Sequence, residues 1–341
     1  MSPPPGTFRD LVVIGASAGG VEALRELVKQ LPVDLQAGVL VVLHVPAGGT
    51  SVLGSILDAA GPLPAEPAQH GAPIEHGHLY VGSPDHHLLV EGDCVVLSDA
   101  PTESGHRPAI NALFRSAALA RGPLVAGVVL SGVLDDGAAG LAMIKASGGL
   151  AIVQDPDDAA YRGMPDSALA GLDADHVLPA RAIGEQLAEI LAVPVELAQP
   201  AGPGAMQRYE QALARNGSEE SMPEPSADAA GLLCPDCGRE LSMRDRDAEA
   251  FRCQAGHAWS ADALLATADH RMQAALWTAL QALDEKTALT RQMEGTARDR
   301  GSDDRAGRYS ASGQETDAAA RLIRARLTSG LPGSDKDGDP A

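Results

Sequence analysis

The chain has 341 residues, 45% of them hydrophobic, which is room for one full α/β domain and something smaller. Its formal net charge of -20 sets it against nucleic acid and anionic membrane surfaces, since like charge repels both. Met1-Ser2-Pro3-Pro4-Pro5-Gly6 has neither a basic nor an apolar leader and no apolar run reaches the ~18 residues of a spanning helix, so the expectation is a cytoplasmic protein without membrane insertion.

The first strand is Leu11-Val12-Val13-Ile14, an apolar β-branched run closed by Gly15-Ala16-Ser17-Ala18-Gly19-Gly20 and followed by helical spacing through Val28. Val39 to Leu43 is a second buried strand and delivers His44 at its carboxyl end. Thr50 to Ala60 reads as a helix capped by Thr50 or Ser51 and stopped by Pro62 and Pro64. Short strands follow at 78–82, 88–93 and 94–98, with Glu91-Gly92-Asp93 turning an antiparallel hairpin on the edge or face of the sheet. Cys94 reads as a small core residue, and His70, His76, His78, His86 and His87 as solvated edges, since no carboxylate pattern accompanies them. His106-Arg107-Pro108 precede a helix from Ala109 to about Arg121. Leu124 to Ser131 is another central strand, and it delivers Gly132-Val133-Leu134-Asp135-Asp136-Gly137 to the edge that carries Ser17 and His44. Helix 138–147, strand 150–154, a helix near 165–170, strand 175–178 and helix 180–192 complete an alternation that implies a doubly wound, mostly parallel α/β sheet.

Beyond it the composition turns to Ala, Pro, Gly, Ser and Glu, a linker over 194–230 with room for one short helix near 206–215. Cys234, Cys237, Cys253 and His257 follow as C-x2-C-x15-C-x3-H, which suits a closed, structural tetrahedral zinc site in a ribbon-like module over 231–259. A helical extension spans 260–326, and its stretch from Ala261 to about Met293 carries an apolar stripe through Leu265, Met272, Leu276, Leu280 and Leu283. No neighbour looks long enough to cover that stripe, which points to a coiled coil or a partner surface. The tail, 327–341, is Gly- and Asp-rich and expected to be disordered.

Open α/β sheets place their sites at the carboxyl ends of strands, where Ser17, His44 and Asp136 converge. A hydroxyl, an imidazole and a carboxylate are the set that acyl hydrolysis needs, as nucleophile, proton carrier and orienting group. By spacing alone Asp135 competes with Asp136. The amide of Ala18 and one from the 132–135 loop, Val133, are the candidate oxyanion donors. A dinucleotide turn is the weaker reading, because its fingerprint wants glycine at Ser17 and an acid at His44.

Gly15-Ala16-Ser17-Ala18-Gly19-Gly20, the Val-Leu-His-Val of 42–45, His106-Arg107-Pro108, Ser131 to Gly137 and Met164-Pro165 through Pro179 together resemble the CheB-type chemoreceptor methylesterases, over about residues 8–193. The resemblance implies hydrolysis of glutamate methyl esters on methyl-accepting chemoreceptors or similar methylated signalling proteins, with deamidation of certain glutamines. It implies no catalytic cofactor. Ser17 would be nucleophile, His44 general base and acid, Asp136 the orienting carboxylate, and His106 and Arg107 substrate contacts. Ala18 stands where the family commonly has Thr, and Leu134 where its T-G-M-G-x-D-G motif has Gly. Only ten residues precede the first strand, so no receiver domain is expected in cis, and a response regulator or methyltransferase would act as a separate partner. A different class of function is a weak or inactive scaffold that signals through its zinc module and long helix.

Overall fold

A computed structural model describes residues 7–45, 52–195, 231–245 and 250–329. The Thr50 or Ser51 cap, the helix expected at 206–215 and the tail beyond 329 lie outside the described residues. The chain forms two compact units that divide between Leu264 and Leu265.

The first unit is built on β1 (Leu11–Ala16), followed by α1 (Gly20–Val28), β2 (Gly38–Leu43), α2 (Leu53–Ala60), β3 (Ala65–Pro67) and β4 (Leu79–Val81). A hairpin of β5 (His87–Glu91) and β6 (Cys94–Ser98) leads to α3 (Ile110–Arg121) and β7 (Val125–Val129). Then come α4 (Ala138–Ala146), β8 (Leu150–Gln154), α5 (Gly163–Gly171), β9 (His176–Leu178) and α6 (Ala180–Leu191). Seven strands pair in the order β3-β4-β2-β1-β7-β8-β9, all of them parallel. Every residue of β1, β2 and β7 is buried, as continuous apolar runs require when helices cover both faces.

Alternate residues of β1 feed the two cores. Val12 and Ile14 pack with Leu24 and Leu27 of α1 and Ile183 and Leu187 of α6. Leu11 and Val13 pack on the other face with Ile110, Leu113 and Phe114 of α3 and Ile144 of α4. Each fully buried leucine of this kind contributes about 2 kcal/mol. The chain leaves β1 toward β2 on one side and returns through β7 on the other, so the strand order reverses at β1/β7, where such sheets open a crevice.

Four expectations change. Residues 79–81 join the parallel sheet between β3 and β2, and β3, lying just past Pro62 and Pro64, was not foreseen. The hairpin is a separate two-stranded sheet packed on α3, where Val90 N–H donates to Ser116 Oγ at 3.0 Å. Cys94 is half-buried rather than in the core, facing Glu91 across the hairpin. His87 is not solvated: it is 1% exposed, accepts from Ala109 N–H at 3.2 Å and lies 3.1 Å from the Pro101 carbonyl.

The Cys/His module is a three-stranded antiparallel sheet, β10 (Leu241–Asp245), β11 (Ala250–Cys253) and β12 (Ala258–Ser260). It ends in α7 (Ala261–Asp299), which is followed by α8 (Asp303–Ser329). The long helix therefore has a partner in its own chain. Leu280, Thr287, Thr290 and Ala297 of α7 are buried, as are Ala306, Thr316 and Ala320 of α8; of the expected stripe, Leu280 is thus buried while Leu265 and Met272 are exposed. A Cβ on Gly313 would lie 3.0 Å from Thr290 Oγ1, and Arg291 reaches Asp317 at 3.7 Å, so the two helices meet along small side chains. Among the described residues no helix is long and apolar enough to cross a membrane.

Candidate active site

Strand pairing brings the first two residues together. His44 N–H donates to the Ala16 carbonyl at 3.1 Å and Ser17 N–H to the Ser131 carbonyl at 2.9 Å, so each hydrogen-bond ladder runs one step past its strand. Ser17 and His44 thus leave adjacent strand ends side by side. Gly19 turns the chain with φ 71° and Gly20 starts α1, a conformation a side chain would resist.

His44 Nε2 lies 2.7 Å from Asp136 Oδ2, with the two side chains only 7% and 6% exposed. The same carboxylate accepts from Ile110 N–H at 2.7 Å and Asn111 N–H at 2.9 Å, the free amides at the start of α3. That approach needs Gly15, because a Cβ there would lie 2.2 Å from Ile110 Cγ2. Burial alone raises the Asp136 pKa, but the hydrogen bond and charge of His44, His106 and the helix amide outweigh it and hold the carboxyl at about 2. Asp136 is therefore ionised at neutral pH and His44 Nε2–H is the donor. In the neutral imidazole the lone pair then sits on Nδ1. Asp135 is turned away and accepts from Ser260 Oγ at 3.0 Å, so the choice that spacing left open falls to Asp136.

His106 stacks on His44, with ring centroids 3.7 Å apart and planes 9° from parallel. Burial first, then repulsion from His44, lowers its pKa to about 4, so it is neutral at pH 7. Arg107 has backbone partners of its own. Its guanidinium donates through Nη1 to the carbonyls of Asp99 and Ala100 at 3.0 and 3.1 Å, which ties it to that loop.

The amides of Ala18 and Val133 meet no acceptor among the described residues, and Val133 is 46% exposed. Gly132 lets the two segments approach: a Cβ there would lie 2.0 Å from Met164 Sδ and 2.9 Å from Ser17 Cβ. Leu134 follows with φ 64°, a left-handed conformation costly for a branched side chain.

Three supporting residues were not singled out from sequence. Ser131 Oγ donates to the Ala18 carbonyl at 2.8 Å and accepts from Tyr161 N–H at 3.0 Å, while Gln154 Oε1 accepts from Ser131 N–H at 2.8 Å. Asn111 Oδ1 accepts from Gly137 N–H at 3.1 Å and Gly140 N–H at 2.7 Å, capping α4. Ser131 and Gln154 sit at carboxyl ends of apolar strand runs, the rule that singled out Ser17, and could have been found by it.

In the module, Cys237 Sγ is 3.6 Å from Cys253 Sγ, and His257 Nδ1 is 3.6 Å from Cys234 Sγ and 3.4 Å from Cys253 Sγ. All four donor atoms lie within 4.8 Å of one another and none of the cysteines is in a disulfide. Tetrahedral zinc at ~2.3 Å from sulfur and ~2.0 Å from nitrogen sets ligand atoms about 3.5–3.8 Å apart, so the residues fit that ion.

Against known proteins, the CheB methylesterase family model matches residues 12–187. A protein-glutamate methylesterase/protein-glutamine glutaminase of Methanosarcina mazei is 38% identical over 193 residues, 54% of this chain and 53% of that protein. A protein-glutamate methylesterase/protein-glutamine glutaminase 3 from Anaeromyxobacter dehalogenans is 39% identical over 194 residues, 55% of this chain and 57% of its own. The chain spans about half the length of the curated relatives it matches. The crystal structure of the Thermotoga maritima CheB methylesterase catalytic domain aligns with a TM-score of 0.51 at 33% identity, covering 53% of this chain and 97% of that one.

Proposed function

Since the chain belongs to the CheB methylesterase family, we propose that it hydrolyses glutamate methyl esters on methyl-accepting chemoreceptors or similarly methylated signalling proteins, releasing methanol. Deamidation of glutamines in the same substrates, releasing ammonia, is the same chemistry with a different leaving group. The observation that carries the reading is the buried 2.7 Å contact of His44 with an ionised Asp136, one strand from Ser17.

Ser17 Oγ attacks the ester carbonyl while His44 Nδ1 takes its proton. The developing oxyanion is met by the amides of Ala18 and Val133, each worth about 3 kcal/mol in such sites. Collapse of the tetrahedral intermediate breaks the C–O bond, His44 returns the proton to the methoxide, and methanol leaves an acyl-Ser17. Water, deprotonated by His44, then attacks that ester and frees the glutamate carboxylate and the serine. Asp136 holds the tautomer and the growing imidazolium throughout.

Cys234, Cys237, Cys253 and His257 would hold a structural zinc ion that supplies the module's folding energy and takes no part in the chemistry. The reaction belongs in the cytoplasm, with a response regulator or methyltransferase as a separate partner. The scaffold alternative is not favoured, because the chain keeps Ser17 at the end of β1 beside the buried His44–Asp136 pair. Methanol release from a methylated receptor tests the function: it is expected to be lost in Ser17→Ala and His44→Ala, and equal release from those variants and wild type would refute it.

A further inference from the structure

The Cys/His module is packed on the loops that shape the site. β12 lies beside residues 102–104, with Ser104 N–H donating to the Ala258 carbonyl at 2.7 Å and Ala258 N–H to the Thr102 carbonyl at 3.2 Å. Thr102 Oγ1 donates to Asp236 Oδ2 at 2.5 Å, inside the first metal knuckle. This segment turns back through Gly105, whose Cβ position lies 3.3 Å from Trp259, and it delivers His106 to the face of His44. On the other side, Ser260 Oγ donates to Asp135 at 3.0 Å while accepting from Ala263 N–H at 3.2 Å, so one hydroxyl joins the start of α7 to the loop that carries Asp136.

Leu134 is the sharpest contact. It is held left-handed at φ 64°, and its side chain packs against the module core of Cys234, Leu241, Cys253, Trp259 and Ala263. Two of those five, Cys234 and Cys253, belong to the cluster that would hold the metal, so Leu134 packs directly on residues of that cluster. Val133, with its unused amide, directly precedes Leu134, and Asp136 follows two residues later.

We propose that the metal-loaded module clamps the oxyanion side of the site, with Leu134 and Ser260 as positioning residues, so that losing the metal slackens residues 102–106 and 132–137 and slows ester hydrolysis. The catalytic half of this rests on the esterase reading; the mechanical half does not.

The test uses the full chain carrying Trp277→Phe, which leaves Trp259 as its one tryptophan. Zinc content, Trp259 emission, amide exchange and methanol release from a peptide bearing a γ-methyl glutamate ester are followed before and after a zinc chelator. The clamp is expected to show as a red-shifted emission, faster exchange at 102–106 and 132–137, and a kcat about tenfold lower with KM changed less than about threefold, all restored by added zinc. Exchange and kcat that do not respond to metal removal would overturn it. Should chelation unfold the whole chain, Ser260→Ala and Leu134→Gly keep all four ligands: faster exchange at 132–137 with a lower kcat supports the clamp, and wild-type values for both overturn it. If Ser17→Ala still releases methanol at the wild-type rate, the esterase reading falls, and exchange and emission alone decide the clamp.

Discussion

His106 lies flat against His44, 3.7 Å between ring centroids, and its pKa is lowered to about 4, first by burial and then by repulsion from His44. The stack shields one face of the imidazole that must carry a proton during turnover. It has a cost in acid. A histidine whose folded pKa is about 4, against 6.5 unfolded, binds protons more readily once the chain unfolds, so it erodes stability as pH falls between those values. The erosion reaches about 3 kcal/mol near pH 4. Urea titrations at pH 7 and pH 4.5 are expected to show wild type losing more stability than His106→Phe, which keeps a ring against His44 without a titrating group; equal losses would exclude His106 as the source.

Asp136 acts in the opposite sense. Its folded pKa of about 2 lies below the ordinary value, so its contribution is complete above about pH 4 and disappears as pH drops through 2. At neutral pH, Asp136→Asn is expected to lower kcat by roughly 10³–10⁴, as loss of an orienting carboxylate does elsewhere. It should also reduce stability by about 1–2 kcal/mol through the start of α3. Steady-state methanol release and thermal unfolding measure the two.

Ser131→Ala leaves the Ala18 carbonyl and the Tyr161 amide without their shared hydroxyl. A loss of about 1–3 kcal/mol is expected. Because Ala18 is a candidate oxyanion donor, kcat should fall more than KM rises; a pure stability loss with unchanged kcat would mean that the Ala18 amide keeps its place unaided.

The Cys/His cluster is expected to bind one zinc ion per chain, and cobalt substituted there should give the visible spectrum of a tetrahedral thiolate site. Cys253→Ser should abolish both and lower the unfolding temperature, which metal analysis and calorimetry would check.

Much of this site was legible in the sequence because its carriers are buried parallel strands, whose unbroken apolar runs mark their own carboxyl ends. Ser17, His44 and Asp136 each follow such a run or its loop. Short strands were harder: residues 79–81 carry the same signal whether they pair parallel or antiparallel, and only β2 and β3 beside them decide. His87 looked solvated because a histidine buried by two backbone contacts, at Ala109 and Pro101, leaves no local pattern. The carbonyl partners of Arg107 are likewise visible only in three dimensions. The helical extension was misjudged in its partner, because a seam of Ala, Gly and Thr lacks the leucines by which packed helices are usually recognised.

One oxygen of Asp136 faces both His44 and the first amide of α3. In the proposed mechanism the acid is therefore doubly employed, in chemistry and in architecture, whereas the role proposed for Ser17 is chemical alone. A descendant that gave up turnover but kept its shape could discard the serine freely and would still be obliged to retain the aspartate. In such a lineage a surviving acid says nothing about whether the enzyme is alive, and the alcohol is the residue to inspect.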